Sequence, residues 1–328
     1  MRIHRGFLGW GIFLILAGSI PLAVRAGYLS DDQLRNVGSL WPLILVGIGV
    51  GLILSRTRYG FVGGSIVAAT FGVIVGGLLA GGVAGIDSIG CGPTSSATAF
   101  ASRQGLLTET GASVDLDLSC GDLTVLVASG GNWQIEGRDR DGTGPNVNAD
   151  NDSLSVRSRD DRGFFGALGD RQTWRVTLPD GPRLDTQLTL NAGSSDVNLA
   201  GANLGSFETT LNAGSATVDL GAVRQIRDVK VELNAGSIGL TLPSLSVTGS
   251  IEVNAGSVKL CTAPGVDVRL QTDESIVASY EFDGQGLIKN GSTWQTPGFD
   301  SASVKVDLHV QANAGSVSLN RSGAGCRG

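Results

Sequence analysis

The tetrapeptide Asn-Ala-Gly-Ser occurs five times in this chain, starting at Asn191, Asn212, Asn234, Asn254 and Asn313. The first three intervals are 21, 22 and 20 residues, and the last, 59, is close to three such periods. Self-similarity at a fixed period of about 20 residues marks a chain that coils and stacks on itself. Stretches of alternating polarity run into the corners: Thr186-Gln187-Leu188-Thr189-Leu190 before Asn191, Val229-Lys230-Val231-Glu232-Leu233 before Asn234, and Ile251-Glu252-Val253 before Asn254. Alternation at period two predicts a strand with one apolar face. Residues 113–328 are therefore expected to form an all-β solenoid of stacked strand–corner coils.

The corner residues fit that geometry. Asn and Gly tolerate left-handed backbone angles, so Asn-x-Gly suits a sharp bend. In stacked coils, equivalent corners lie about 4.8 Å apart, the spacing of hydrogen-bonded strands. Asn191, Asn212, Asn234, Asn254 and Asn313 are thus expected to form a structural ladder of bonded amides, as identical side chains do in other stacks. The serine hydroxyl is expected to satisfy a nearby turn amide. Neutral amides without clustered carboxylates make a poor calcium cage, which needs about six to eight oxygens. Degenerate corners at Thr272-Asp273-Glu274-Ser275-Ile276 and Asn290-Gly291-Ser292 divide the 59-residue interval into three, and Leu118-Ser119-Cys120-Gly121-Asp122 resembles an upstream copy. Between Asp139 and Asp170 the period is lost, and long loops are expected around one strand at Ser153-Leu154-Ser155-Val156.

The first 86 residues have a different character. Three apolar runs, Phe7 to Val24, Ser39 to Leu54 and Phe61 to Gly85, predict an α-helical transmembrane region of three crossings. Arg2 and Arg5 precede the first run and Arg56 and Arg58 separate the last two, which sets those ends in the cytoplasm and everything after Gly85 outside. A cleavable signal peptide is the rival reading of the first run and leaves the exterior placement unchanged. Gly72/Gly76, Gly77/Gly81 and Gly81/Gly85 are spaced for close helix packing in lipid. Residues 87–112 are expected to be a linker.

Of 24 Lys+Arg and 30 Asp+Glu, residues 1–86 hold six Arg and two Asp, so the remainder carries a net −10. An acidic exterior argues against nucleic acid as a partner. Gly 50 and few aromatics suit thin, regular coils. The four cysteines, Cys91, Cys120, Cys261 and Cys326, all fall on the exterior side and permit two disulfides in any of three connectivities. Attachment of lipid to Cys91 is the alternative use of that residue. No CxxC pair suggests zinc.

A catalytic set is not legible. Of the two histidines, His4 is cytoplasmic and His309 alternates within Val306-Asp307-Leu308-His309-Val310 as an outward strand residue. Asp115 and Asp117 share one strand face, while Asp196 and Asp219 each follow a repeat corner. Period-two carboxylates are the ordinary solvated face of an amphipathic strand; a glycan-binding or glycan-cleaving site is the alternative. No cofactor is expected.

Trp41-Pro42-Leu43-Ile44-Leu45-Val46-Gly47-Ile48-Gly49, before Arg56, resembles the membrane region of LiaF-like bacterial proteins. Val176-Thr177-Leu178-Pro179-Asp180-Gly181, leading into strand-Asn-Ala-Gly-Ser units, resembles the toastrack or adhesin-type β-solenoid domains joined to it. The resemblance implies a role in cell-envelope stress sensing, with partners in the membrane and no catalytic residues. The expectation is a non-enzymatic protein anchored in the lipid bilayer that senses, scaffolds or adheres, with a membrane signalling protein or an envelope glycan as partner.

Overall fold

The computed structural model describes residues 97–108, 111–159, 171–273, 275 and 277–322, with Leu14, Ile15, Ser19, Thr70, Cys91 and Cys326 as isolated positions. Apart from Leu14, Ile15, Ser19 and Thr70, the three expected membrane crossings lie outside the described residues, among which no helix is long and apolar enough to cross a membrane. The chain divides into two units, Met1–Ile89 and Gly90–Gly328, and every described strand belongs to the second.

That unit is all-β. Its strands are β1 (Thr98–Ala99), β2 (Arg103–Leu106), β3 (Ala112–Leu118), β4 (Gly121–Ala128), β5 (Asn132–Asp139), β6 (Asn146–Ala149), β7 (Ser153–Arg157), β8 (Gln172–Pro179), β9 (Arg183–Leu190), β10 (Gly193–Asn198) and β11 (Asn203–Leu211). They continue as β12 (Gly214–Asp219), β13 (Asp228–Leu233), β14 (Gly236–Thr241), β15 (Val247–Cys261), β16 (Asp267–Thr272), β17 (Ala278–Glu281), β18 (Ile288–Asn290), β19 (Thr293–Gln295) and β20 (Lys305–Asn320). A 3-10 turn, Phe299–Ser301, lies before β20.

Each coil contributes one strand before the corner and one after it, so the coils build two columns of parallel strands. In the first column the order is β7, β3, β9, β11, β13, the start of β15, the start of β20, then β16. In the second it is β8, β4, β10, β12, β14, the end of β15, the end of β20, then β17. From β9 to β15 chain order and stacking order agree, one coil per repeat. At both ends they part. The β3–β4 coil is the first made by the chain, yet it sits second, between β7–β8 and β9–β10. The last strand, β20, is slotted between β15 and the β16–β17 coil.

Antiparallel strands finish the stack. β6 covers β7 and β5 covers β8, with β1 and β2 laid on β5; at the other end β19 covers β16 and β18 covers β19. Unpaired strand edges invite association, and such covers satisfy their N–H and C=O groups.

Inward residues recur at period two and fall into rows through the stack. Leu190, Leu211, Leu233 and Val253 form one row, and Val197, Val218, Leu240, Leu260 and Leu319 another; all are buried. Each fully buried aliphatic side chain contributes about 1.5–3 kcal/mol of transfer free energy. Repetition of these rows is what turns thin coils into one continuous core.

Two expectations need correction. The stretch read as a linker holds β1, β2 and the start of β3, and Phe100 and Leu107 are buried in the core, so the folded unit begins well before residue 113. The 59-residue interval is not three successive coils. Asn290-Gly291-Ser292 turns an antiparallel hairpin, with Asn290 paired to Thr293 and φ +60 at Gly291. A glycine in a two-residue loop favours such a hairpin over another parallel coil.

Candidate functional site

The structure brings all five repeat asparagines into one hydrogen-bonded column. Asn212 Nδ2 donates to Asn191 Oδ1 at 2.7 Å, Asn234 to Asn212 at 2.8 Å, Asn254 to Asn234 at 2.8 Å and Asn313 to Asn254 at 2.7 Å. Every amide donates in the same direction. The column ends on a carboxylate, because Asn191 Nδ2 donates to Asp117 Oδ1 at 3.1 Å. Asn234 also donates to Glu232 Oε1 at 3.2 Å. Asn313 bonds Asn254 directly although 59 residues separate them, because β20 lies next to β15.

The backbone bends through the glycine alone. Gly193, Gly214, Gly236, Gly256 and Gly315 have φ between +121 and +145, whereas no described non-glycine residue has positive φ. The asparagine therefore contributes its amide to the corner rather than left-handed freedom. Close approach adds a second demand. A Cβ on Gly236 would fall 1.9 Å from the carbonyl oxygen of Gly214, and one on Gly214 would fall 1.9 Å from that of Gly193. Gly121 aligns with Gly193, so Leu118-Ser119-Cys120-Gly121-Asp122 is a corner of the same stack. On the far side of Asn313, Ser275 Oγ donates to its backbone oxygen at 3.3 Å, which places Ser275 beside the Asn313 corner.

Beside the asparagines runs a row of serines, with Ser194, Ser215, Ser237, Ser257, Ser316 and Ser279 in register. Its first member does not cap a turn amide: Ser194 Oγ donates to Asp122 Oδ1 at 2.6 Å. Arg171 donates to the same carboxylate through Nε at 3.0 Å and Nη2 at 2.9 Å. Partial burial by itself would raise the Asp122 pKa; the bonds from Arg171 and Ser194 and the guanidinium charge outweigh it and hold the group below the usual carboxylate range.

Asp115 and Asp219 are engaged locally. Asp115 accepts from Arg157 Nε at 3.2 Å and Nη2 at 2.5 Å. Asp219 Oδ1 accepts from the amide of Gly221 at 2.9 Å, closing its own turn. Asp196 is exposed and aligns with Thr124 and Thr217, whereas Asp219 aligns with Asn198 and Thr241, so the two carboxylates occupy different rows. His309 lies outward on β20, with Nε2 3.4 Å from Asp273 Oδ2. Among the described residues no group of three His, Cys, Asp or Glu side chains could hold a metal ion.

Two features escaped the sequence. The cysteines pair as Cys91–Cys120 and Cys261–Cys326, which engages the Cys91 sulfur considered for lipid attachment. A surface groove of about 910 Å³ lies at the β2 and β6 end, between Gln104–Leu106 and Ala149–Asp152, with Trp133 in its lining. It is assembled from short strands outside the repeat, where spacing gives no signal.

Comparison with known proteins supports the toastrack part of the resemblance. Residues 97–241 match the family described as the N-terminal domain of toast_rack, DUF2154. No curated protein matches the chain. A candidate cell adhesion protein from Clostridium sporogenes is 14% identical, over 68% of this chain and 99% of its own, with a TM-score of 0.47. A candidate adhesin from Bacteroides fragilis is 10% identical over 68% and 97%, with a TM-score of 0.24. A candidate lipid binding protein from Parabacteroides distasonis is 10% identical over 71% and 97%, with a TM-score of 0.26.

Proposed function

We propose that the chain is a non-enzymatic envelope protein, anchored in the membrane through residues 1–86, which presents a rigid β-solenoid outside the cytoplasm for sensing, scaffolding or adhesion. The observation that carries this reading is the stapled parallel stack. One amide column runs through five coils and both outer regions of the unit are held by disulfides. Disulfides persist in oxidising compartments, which supports the exterior placement. A stack whose coils all share register is stiff along its length and suits holding a surface away from a bilayer. Asp115, Asp117 and Asp219 serve neighbouring side chains and turns, a use that fits presentation better than turnover. The similarity of residues 41–49 to LiaF-like membrane regions supports a signalling partner within the membrane.

Affinity capture of the full chain from intact membranes should co-purify a membrane signalling protein. The competing reading, a glycan-cleaving solenoid, takes over if the purified chain degrades envelope polysaccharide and Asp196→Asn or Asp219→Asn abolishes that turnover.

A further inference from the structure

The two disulfides sit at opposite ends of the second column's strands, one near each end of the stack. Cys91 is joined across 29 residues to Cys120, at the corner between β3 and β4. Cys326 is joined across 65 residues to Cys261, the last residue of β15. The loop closed by the first contains β1, β2 and β3, and the loop closed by the second contains β16 to β20. These are the segments in which chain order and stacking order part: β3 is inserted between β7 and β9, and β20 between β15 and β16. Cys326 itself also contacts the stack, its amide donating to Thr241 Oγ1 at 3.2 Å. Gly239 makes room for it, since a Cβ there would meet Cys326 Cβ at 3.2 Å.

We propose that the unit is a load-bearing link whose disulfides route tension around both inserted strands. Tension arriving along the chain before Cys91 crosses its disulfide to Cys120, travels through β4 to β15, and leaves from Cys261 to Cys326. It never acts along β3 or β20. Without the second staple, the same tension would enter at the end of β20 and draw that strand from between its two neighbours. Loss of β20 strips the amide column of Asn313 and separates the β16–β17 coil from the rest. The staples therefore protect the interlocks on which each end depends. The proposal rests on the reading that this unit is tethered and exterior; the disulfides and their positions carry the rest.

The test is optical-tweezers extension of the full chain, with handles at its two termini. Wild type should open in a main rupture with no earlier step from the C-terminal coils. Cys261→Ser/Cys326→Ser should add an earlier step at lower force, releasing up to about 230 Å of chain for the 65-residue separation. Cys91→Ser/Cys120→Ser should add one of up to about 100 Å for its 29 residues. If a serine pair fails to fold, reductant added to folded wild type under load gives the same readout. Rupture of the unstapled chain in one event at the wild-type force overturns the proposal. Failure of the exterior reading is a separate result, seen as location of the unit in the cytoplasm of intact cells, and leaves the force traces unchanged.

Discussion

The middle and the ends of this solenoid solve the same problem in different ways. From β9 to β15 every coil buries its apolar rows against the coil before it and the coil after it, and the repeat supplies each interface. At the ends a further copy would leave another open edge. There the chain doubles back: an early coil is covered by a later one, a late strand is slotted beneath an earlier one, and antiparallel strands cover β7, β8 and β16. Repetition builds length, while termination requires departure from the repeat. Substitutions should therefore cost far more in the middle than at the covers.

The widest contrast should come from glycine. Gly236→Ala places a methyl 1.9 Å from a backbone oxygen at φ +121, and denaturant unfolding should show a loss above about 3 kcal/mol. Gly291→Ala, in the open end hairpin at φ +60, should cost no more than about 1–2 kcal/mol. Equal losses would break the comparison. Leu233→Ala, in a fully buried row, should cost about 2–5 kcal/mol, against about 0.5 kcal/mol or less for the exposed Ile288→Ala on β18.

A finer division runs along the amide column. Asn234 donates to Asn212 and accepts from Asn254, so Asn234→Ala orphans a partner on each side and should cost about 1–3 kcal/mol in thermal or denaturant unfolding. Asn313 is exposed and has one bonded amide neighbour, so Asn313→Ala should cost about 0.5–1.5 kcal/mol. A flat profile from Asn191 to Asn313 would mean that the column carries little of the stability.

The smallest effect concerns acid. The folded-state pKa of Asp122 is depressed, so its contribution is present above the unfolded carboxylate value and is lost as pH falls through the folded value. Wild type should therefore lose this increment only below about pH 4. Asp122→Asn should be less stable than wild type at neutral pH, and the gap should shrink on acidification. A gap independent of pH would assign the loss to packing instead of charge.

This contrast also explains what was legible in the sequence. The five asparagines, the alternation before them and the degenerate corner at Ser119 are local signals, because each coil presents the same bonds to its neighbours. The acids at Asp115 and Asp219 could be read as solvated, but their partners Arg157 and Gly221 follow from register and turn geometry. Insertion of β20 left no local mark: Thr272-Asp273 follows Asn254 at about one period and looks like the next coil, and only long-range packing places Asn313 first. Phe100 and Leu107 stood in a stretch too short and irregular for periodicity, although they cover the end of the core.

Stacking order at the last interlock is the most direct test. Ser250 pairs in register with His309, and His309 with Gln271, so β20 separates the two outward positions that chain order would make neighbours. Cysteine pairs can be introduced in the full chain, oxidised and located by mass spectrometry. Ser250→Cys with His309→Cys, and His309→Cys with Gln271→Cys, should each form a bond, because neighbouring strands lie within disulfide reach of about 4.4–6.8 Å between Cα atoms. Ser250→Cys with Gln271→Cys, two strand spacings or about 9.6 Å apart, should remain unbridged. A bond between those two, with none to position 309, would contradict the account.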